Sequence, residues 1–284
     1  MHPIVFELPV LGFKVHGYGL MMLLGCASAL AIAVWRARRE GLNTDAVYEL
    51  ATWLFLGGVV GARALFVASR PDLIQSPLDL FRSWEGGNVF YGCIIGGLTG
   101  TLIYWRRHPF PFLRMADAVA PALAIGVFFG RLGCHLNGCC HGAITQVPWG
   151  IRFPAGSHAW TAHVDEGLLD PGAPWSLPVH PTQLYASLAG LALLVGLLAY
   201  IPFRRRTGEM MAILMIAYPI TRWPVEILRG DDPGIIAGIT ISQLISLGLL
   251  AFGLIVWSRL DREAAASPSP TLVPARQDPL KLPG

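Results

Sequence analysis

Four arginines stand where so apolar a chain should carry no charge: Arg63, Arg131, Arg222 and Arg229 fall within or at the ends of long hydrophobic runs. A charge at the centre of a bilayer costs about 2.5–3.5 kcal/mol on insertion scales, so each needs a partner or a task. Acids are scarce. Glu49 and Glu226 lie in or near such runs, and Asp117 sits close to the inner end of another. Arg222, Glu226 and Arg229 are spaced i, i+4, i+7 and share one helical face. Glu226 can pair with either arginine but cannot neutralise both. If the helices bring Arg63 and Arg131 to the same place, the result is an outward-side cavity with surplus positive charge. Such a cavity suits phosphate, which arginine grips through a planar fork of donors. The plainer alternative is that these arginines snorkel to the interface or tie helices together.

Two further groups could do chemistry. His180-Pro181-Thr182-Gln183, with Tyr185, opens a later hydrophobic run. Proline at a first helical position is expected, so the group reads either as a helix start or as a site wall. Buried among apolar residues, Gln183 needs a hydrogen-bond partner. The third group runs from Gly130 to Gly142 and holds Cys134, His135, Cys139, Cys140 and His141. Zinc takes four N/S ligands, yet this is not the Cys-x2-Cys spacing of a zinc ribbon. A disulfide, a reactive thiol and plain small-residue packing all stay open. Glycines 130, 133, 138 and 142 point to a tight turn with close backbone approach. Cys26 and Cys93 lie in apolar runs and read as inert small residues.

The elements that must hold these residues are membrane spans. Of 284 residues, 54% are hydrophobic and 14% charged, against about 25% charged in a soluble domain. The shortfall extends along the whole body. Net charge is +3, with no basic stripe or aromatic interleaving, which sets nucleic-acid binding aside. No basic n-region marks a cleavable leader. Seven runs approach the roughly 20 residues a spanning helix needs: about Val15–Val34, Thr44–Ser69, Val89–Trp105, Met115–Leu132, Pro181–Ile201, Gly208–Val225 and Ile239–Trp257. The fold class is therefore all-α and integral to a membrane. Arg36, Arg38, Arg39, Arg106, Arg107, Arg114, Arg204, Arg205, Arg206, Arg259 and Arg262 gather on one side, against Lys14, Arg70, Arg82, Arg152 and Arg229 on the other. The positive-inside rule puts the richer side in the cytoplasm, with the N-terminus outside (periplasmic) and the C-terminus inside.

One membrane domain, residues 1–262, then includes a small outward head at about 137–179, too long for a simple connection. Arg70–Gly87, with Trp84, reads as interfacial. Residues 263–284 read as a disordered cytoplasmic tail. Gly57 with Gly61, and Gly92 with Gly96 and Gly100, would let two helix backbones approach closely, as scaffold.

These landmarks together resemble the prolipoprotein diacylglyceryl transferase family, over nearly the whole chain up to about Arg262. They run in order: His16-Gly-Tyr18-Gly; Gly61-Ala-Arg63; Trp84-Glu-Gly-Gly-Asn-Val-Phe-Tyr91-Gly; Gly130-Arg131-Leu-Gly; Asn137-Gly with Gly142; Trp149-Gly-Ile-Arg-Phe-Pro154; His180-Pro-Thr-Gln183-Leu-Tyr185; Arg222-Trp-Pro-Val-Glu226-Ile-Leu-Arg229; and Ile241-Ser-Gln243. The resemblance implies a bacterial inner-membrane enzyme. It would move the diacylglyceryl group of phosphatidylglycerol to the lipobox cysteine thiol of a lipoprotein precursor, releasing glycerol phosphate, with no metal or other cofactor. By position, Arg131 matches the arginine that contacts the lipid phosphate. Arg222 and Glu226 match an essential pair, Tyr18 an important tyrosine and Gly142 a signature glycine.

Three positions depart from the family pattern. Tyr91 stands in place of a histidine proposed as base, Cys134 in place of an asparagine, and Cys139 in place of an acid. The candidate catalytic residues are Arg131, Arg222, Glu226 and Tyr91. The candidate substrate-binding residues are Arg131, Tyr18, Arg63, Asn137, Gly142, His180, Gln183 and Arg229. Tyr91 could serve as base only if its pKa fell sharply from about 10. The preferred version has no side-chain base, the arginines acidifying the substrate thiol directly. Two other readings stay open: a divergent member acting through its own cysteines, and a non-enzymatic anion or lipid transporter. The small number of polar residues expected near the inner ends of the spans argues against the transporter.

Overall fold

The computed structural model describes residues 4–8, 13–71, 76, 90–231, 234 and 238–260. Apart from Arg70, Pro71 and Ser76, the Arg70–Gly87 segment lies outside these residues, as does the tail from 263 to 284. Each of the seven apolar runs folds as a helix. These are α1 (Gly17–Arg39), α2 (Thr44–Ser69), α3 (Phe90–Arg107), α4 (Phe112–Asn137), α6 (Thr182–Tyr200), α7 (Glu209–Ile227) and α8 (Ile241–Arg259), with the short α5 (His158–Asp165) between α4 and α6. One element was not expected: a two-stranded antiparallel hairpin of β1 (Ile4–Leu8) and β2 (Phe13–His16) leads into α1.

Among the described residues, five helices are long and apolar enough to cross a membrane: α1, α2, α4, α6 with its following turn, and α8. Large apolar side chains face outward around them, among them Leu23, Val60, Leu188 and Phe252, each more than half exposed. A water-facing bundle would be patterned the other way round. The remaining long helices are α3, with 18 residues, and α7, with 19. Glycines and two terminal arginines dilute the hydropathy of α3, and Glu209, Arg222 and Glu226 that of α7.

Small residues set the packing. A β-carbon at Gly61 would lie 2.7 Å from the Gly96 Cα, and one at Gly96 2.8 Å from the Gly61 Cα. Only glycine allows α2 and α3 so close. In the middle of the molecule α4 packs on α1, α6 and α7, while α8 packs on α7. Where α6 crosses α4, a β-carbon at Gly190 would lie 2.9 Å from the Phe128 nitrogen, and the Ser187 hydroxyl donates to the Phe128 carbonyl at 3.0 Å.

The end of the bundle that carries Arg36, Arg114 and Arg204 corrects one expectation, since polar groups are buried there in number. Asp117, fully buried on α4, accepts from the backbone N–H groups of Gly208 at 2.7 Å and Met211 at 3.1 Å, and so caps α7 from a neighbouring helix. Arg204 reaches Asp117 at 3.4 Å and Glu40 at 2.9 Å, and Glu40 also pairs with Arg36. Arg114 donates to the Glu40 carbonyl at 2.6 Å. These bonds tie α1, α4 and α7 together at one end. Asp117→Ala strands two helix-terminal donors and leaves Arg204 only Glu40, and is expected to destabilise the protein by about 2–6 kcal/mol, the cost of two buried donors left unsatisfied, read as a lower thermal midpoint. Asp117→Asn keeps an acceptor for Gly208 and should lose less. Equal losses would argue against the capping role.

Between α4 and α6 the chain forms a folded head with its own small core of Phe153, Ala159 and Val179. Ser157 caps α5 by accepting from the Trp160 nitrogen, and the Trp160 indole donates to the Ala173 carbonyl at 2.8 Å. The extended stretch 141–144 is its hinge to the bundle. Gly142 N–H donates to the His180 carbonyl at the start of α6, and Ala143 N–H to the Leu228 carbonyl just past α7. One strand thus fastens the ends of three helices.

Candidate anion-binding site

Glu226 lies at the centre of a buried network near the head. Its carboxylate is wholly buried and pairs with Arg222 one turn earlier on α7. Arg229 Nη1 approaches the same oxygen at 3.4 Å, and the Thr240 hydroxyl donates to the other at 2.9 Å. Arg229 turns most of its fork to Asp231, with contacts of 2.8 and 2.9 Å. The helical spacing therefore predicts the Arg222–Glu226 pair correctly. Arg229 lies beyond the end of α7, bridged to Gly142, and meets Glu226 through a turn.

Thr240 was not singled out in the sequence, although Thr240-x-x-Gln243 is a capping-box pattern. The box is present: Gln243 N–H donates to the Thr240 hydroxyl and Thr240 N–H to the Gln243 side chain. The cap of α8 thereby also orients the central carboxylate.

Positive charge remains over. Arg131 and Arg222 line one narrow crevice between α4, α6 and α7, together with Tyr218 and Thr221. Arg131 and Arg229 both lie within electrostatic reach of Arg222. Among the described residues no carboxylate pairs with Arg131, and the buried Nη1 of Arg222 has no hydrogen-bond partner. Buried donors are rarely left in this state. An anion in this crevice would give the Arg222 Nη1 a partner and Arg131 a counter-charge.

The other candidates divide into two groups. Tyr18, in the first turn of α1, packs against Gly133 and stands within electrostatic reach of Arg131 and of Cys134, Cys139 and Cys140. Gly142 lies where an added β-carbon would be 2.9 Å from the Leu228 carbonyl oxygen, so only glycine lets the hinge strand pass. Gln183 finds its partner in the Cys139 carbonyl at 2.8 Å, and Thr182 holds the Cys140 carbonyl at 2.8 Å. These two side chains brace the cysteine loop. His180 lies 3.5 Å from the Tyr185 hydroxyl, which the Trp149 indole also reaches. Asn137 ends α4, with its side chain beside that of Cys139. By contrast, Arg63 sits on α2 with its guanidinium 5.1 Å above the Phe66 ring, and Tyr91 in the first turn of α3. Of all the candidates only Arg131 and Arg222 line the crevice itself.

In the loop after α4, the neighbouring Cys134 and Cys139 thiols, and after them the charges of Arg131 and Arg229, hold the Cys140 thiol below its ordinary value. In the head, burial and then the neighbouring His141 lower the pKa of His163.

The fold is that of a multi-pass helical membrane protein with a basic crevice between its central helices. The family model described as prolipoprotein diacylglyceryl transferase matches residues 3–259. A phosphatidylglycerol–prolipoprotein diacylglyceryl transferase of Clostridium tetani is 33% identical over 263 residues, covering 92% of this chain and 98% of that protein. A second enzyme of that name, from Clostridium perfringens, is 34% identical over 250 residues, covering 88% and 92%. One from Legionella pneumophila is 34% identical over 268 residues, covering 90% and 96%. The chain belongs to the prolipoprotein diacylglyceryl transferase family.

Proposed function

We propose that this chain transfers the diacylglyceryl group of phosphatidylglycerol to the lipobox cysteine thiol of lipoprotein precursors. Family membership supports the reaction, and the unpartnered Arg222 Nη1 in the crevice it shares with Arg131 carries the assignment of the site. The phosphate of the lipid sits between Arg131 and Arg222, with Glu226, Arg229 and Thr240 fixing the Arg222 fork. The precursor's thiolate attacks the glyceryl carbon, a C–S bond forms, and the C–O bond to phosphate breaks. Glycerol phosphate leaves with the electron pair, and the thiol proton passes to solvent. Charge that grows on the phosphate oxygens meets donors already in place. Outside the crevice lining, Tyr18 packs against Gly133 on α4, and His180, Gln183, Asn137 and Gly142 belong to the cysteine loop and its anchors beside it.

The absence of Tyr91 from the crevice lining supports a route without a side-chain base. The arginine cluster lowers the pKa of the incoming thiol, about 8.5 when free, by favouring its thiolate.

In this reading all seven long helices span the bacterial inner membrane. Although short, α3 is about 27 Å long at 1.5 Å per residue, close to the hydrocarbon thickness. The N-terminus and the head at 137–179 face the periplasm, and residues 1–262 act as one domain. The arginine-rich loops lie in the cytoplasm, where the tail follows. The partners are phosphatidylglycerol and lipobox precursors, with no nucleic acid. The test is purified protein in phosphatidylglycerol vesicles with a lipobox peptide. The peptide should gain one diacylglyceryl group for each glycerol phosphate released, and the Cys-to-Ser peptide none. Glycerol phosphate release without peptide modification would refute the reading.

A further inference from the structure

Three cysteines of one loop meet at a point. Cys134 lies in the last turn of α4, and Cys139 and Cys140 follow its left-handed glycine cap, Gly138. All three sulfur atoms lie within 4.8 Å of one another. None is engaged in a disulfide. We propose that Cys134, Cys139 and Cys140 form a three-thiolate site for a thiophilic d10 cation, Zn(II), Cd(II) or Cu(I).

Tetrahedral Zn–S bonds of about 2.3 Å place sulfurs about 3.8 Å apart. The three side chains therefore need to close by about 1 Å at most, within the reach of thiol rotamers. The backbone is fastened beforehand. Cys139 N–H donates to the Cys134 carbonyl at 3.2 Å, while Gln183 and Thr182 hold the carbonyls of Cys139 and Cys140. Cys140 takes φ 56°, the only positive value at a non-glycine residue among those described, and such a conformation is uncommon where a β-carbon is present. A disulfide would use two of these sulfurs and leave the third idle, whereas an ion uses all three and takes its fourth ligand from solvent. Soft thiolate sets select d10 ions of this kind. Three thiolates around a divalent ion leave one negative charge, and Arg131 and Arg229, both within electrostatic reach of Cys140, balance it. The proposal concerns ion binding and does not depend on the transfer reaction.

The full chain, reduced with a phosphine and kept anaerobic in detergent, is titrated with Cd(II). A sulfur-to-metal charge-transfer band should saturate at one equivalent and be displaced by Zn(II). Cys134→Ser, Cys139→Ser and Cys140→Ser should each weaken binding at least about 100-fold, since losing a ligand costs more than losing an outer-shell partner. Cys26→Ser with Cys93→Ser should leave it unchanged, and circular dichroism checks that each variant is folded. No band in the reduced wild type, or binding that survives all three loop substitutions, overturns the site.

Discussion

Alanine in place of Arg131 or Arg222 is expected to slow diacylglyceryl transfer by about a hundredfold to a thousandfold, the usual cost of removing one donor from a developing oxyanion. The two variants should differ in stability. Among the described residues Arg131 pairs with no carboxylate, so Arg131→Ala should unfold close to the wild type. Arg222 is buried against Glu226, and Arg222→Ala should lose stability as well as rate, because Glu226 keeps only Arg229 and Thr240. Lysine at position 222 restores the charge without the fork, and should recover stability more fully than rate. The measurement is kcat in phosphatidylglycerol vesicles beside a thermal midpoint for each protein. Full activity in both alanine variants would remove the phosphate-binding role.

The second large effect lies away from the site. Leucine at Gly61 or Gly96 is expected to prevent α2 and α3 from docking and to leave little folded protein. The obstructing atoms are backbone, 2.7 and 2.8 Å from the new β-carbon, and cannot rotate aside. Overpacking usually costs about 1–3 kcal/mol where side chains can shift, and these positions should exceed that range. Alanine at Gly126 or Gly248, where a β-carbon meets nothing within 4 Å, is the control and should fold normally. Resistance to denaturing detergent reads the difference. A stable Gly96→Leu protein would show that the two helices do not need the seam.

The glycine spacings on α2 and α3 were legible because close packing between apolar helices has few other solutions. The span at Thr44–Ser69 was placed to the residue, with Asn43 capping it through the Asp45 N–H. The Arg222–Glu226 pair followed from helical period alone. Periodicity could not place Arg63 and Tyr91. Whether a charge on α2 or a ring on α3 meets the crevice depends on how that glycine-packed pair sits beside α1, which no local pattern encodes. The buried network of Glu40, Arg204 and Asp117 was hidden for a similar reason. Its members come from a loop, a turn and a helix, and sequence alone reads Glu40 and Arg204 as ordinary boundary charges. The first apolar run takes in only the last two residues of the N-terminal hairpin, Val15 and His16, and no sequence pattern marks the rest of it.

The clamp at the Asp117 end has a mechanical consequence. Three shafts are bolted together there by ionic and capping contacts, so sliding one against another is most costly at that end. On the proposed reading, any widening that admits a lipid headgroup would be taken up farther along α4, toward Arg131, about 21 Å away at 1.5 Å per residue.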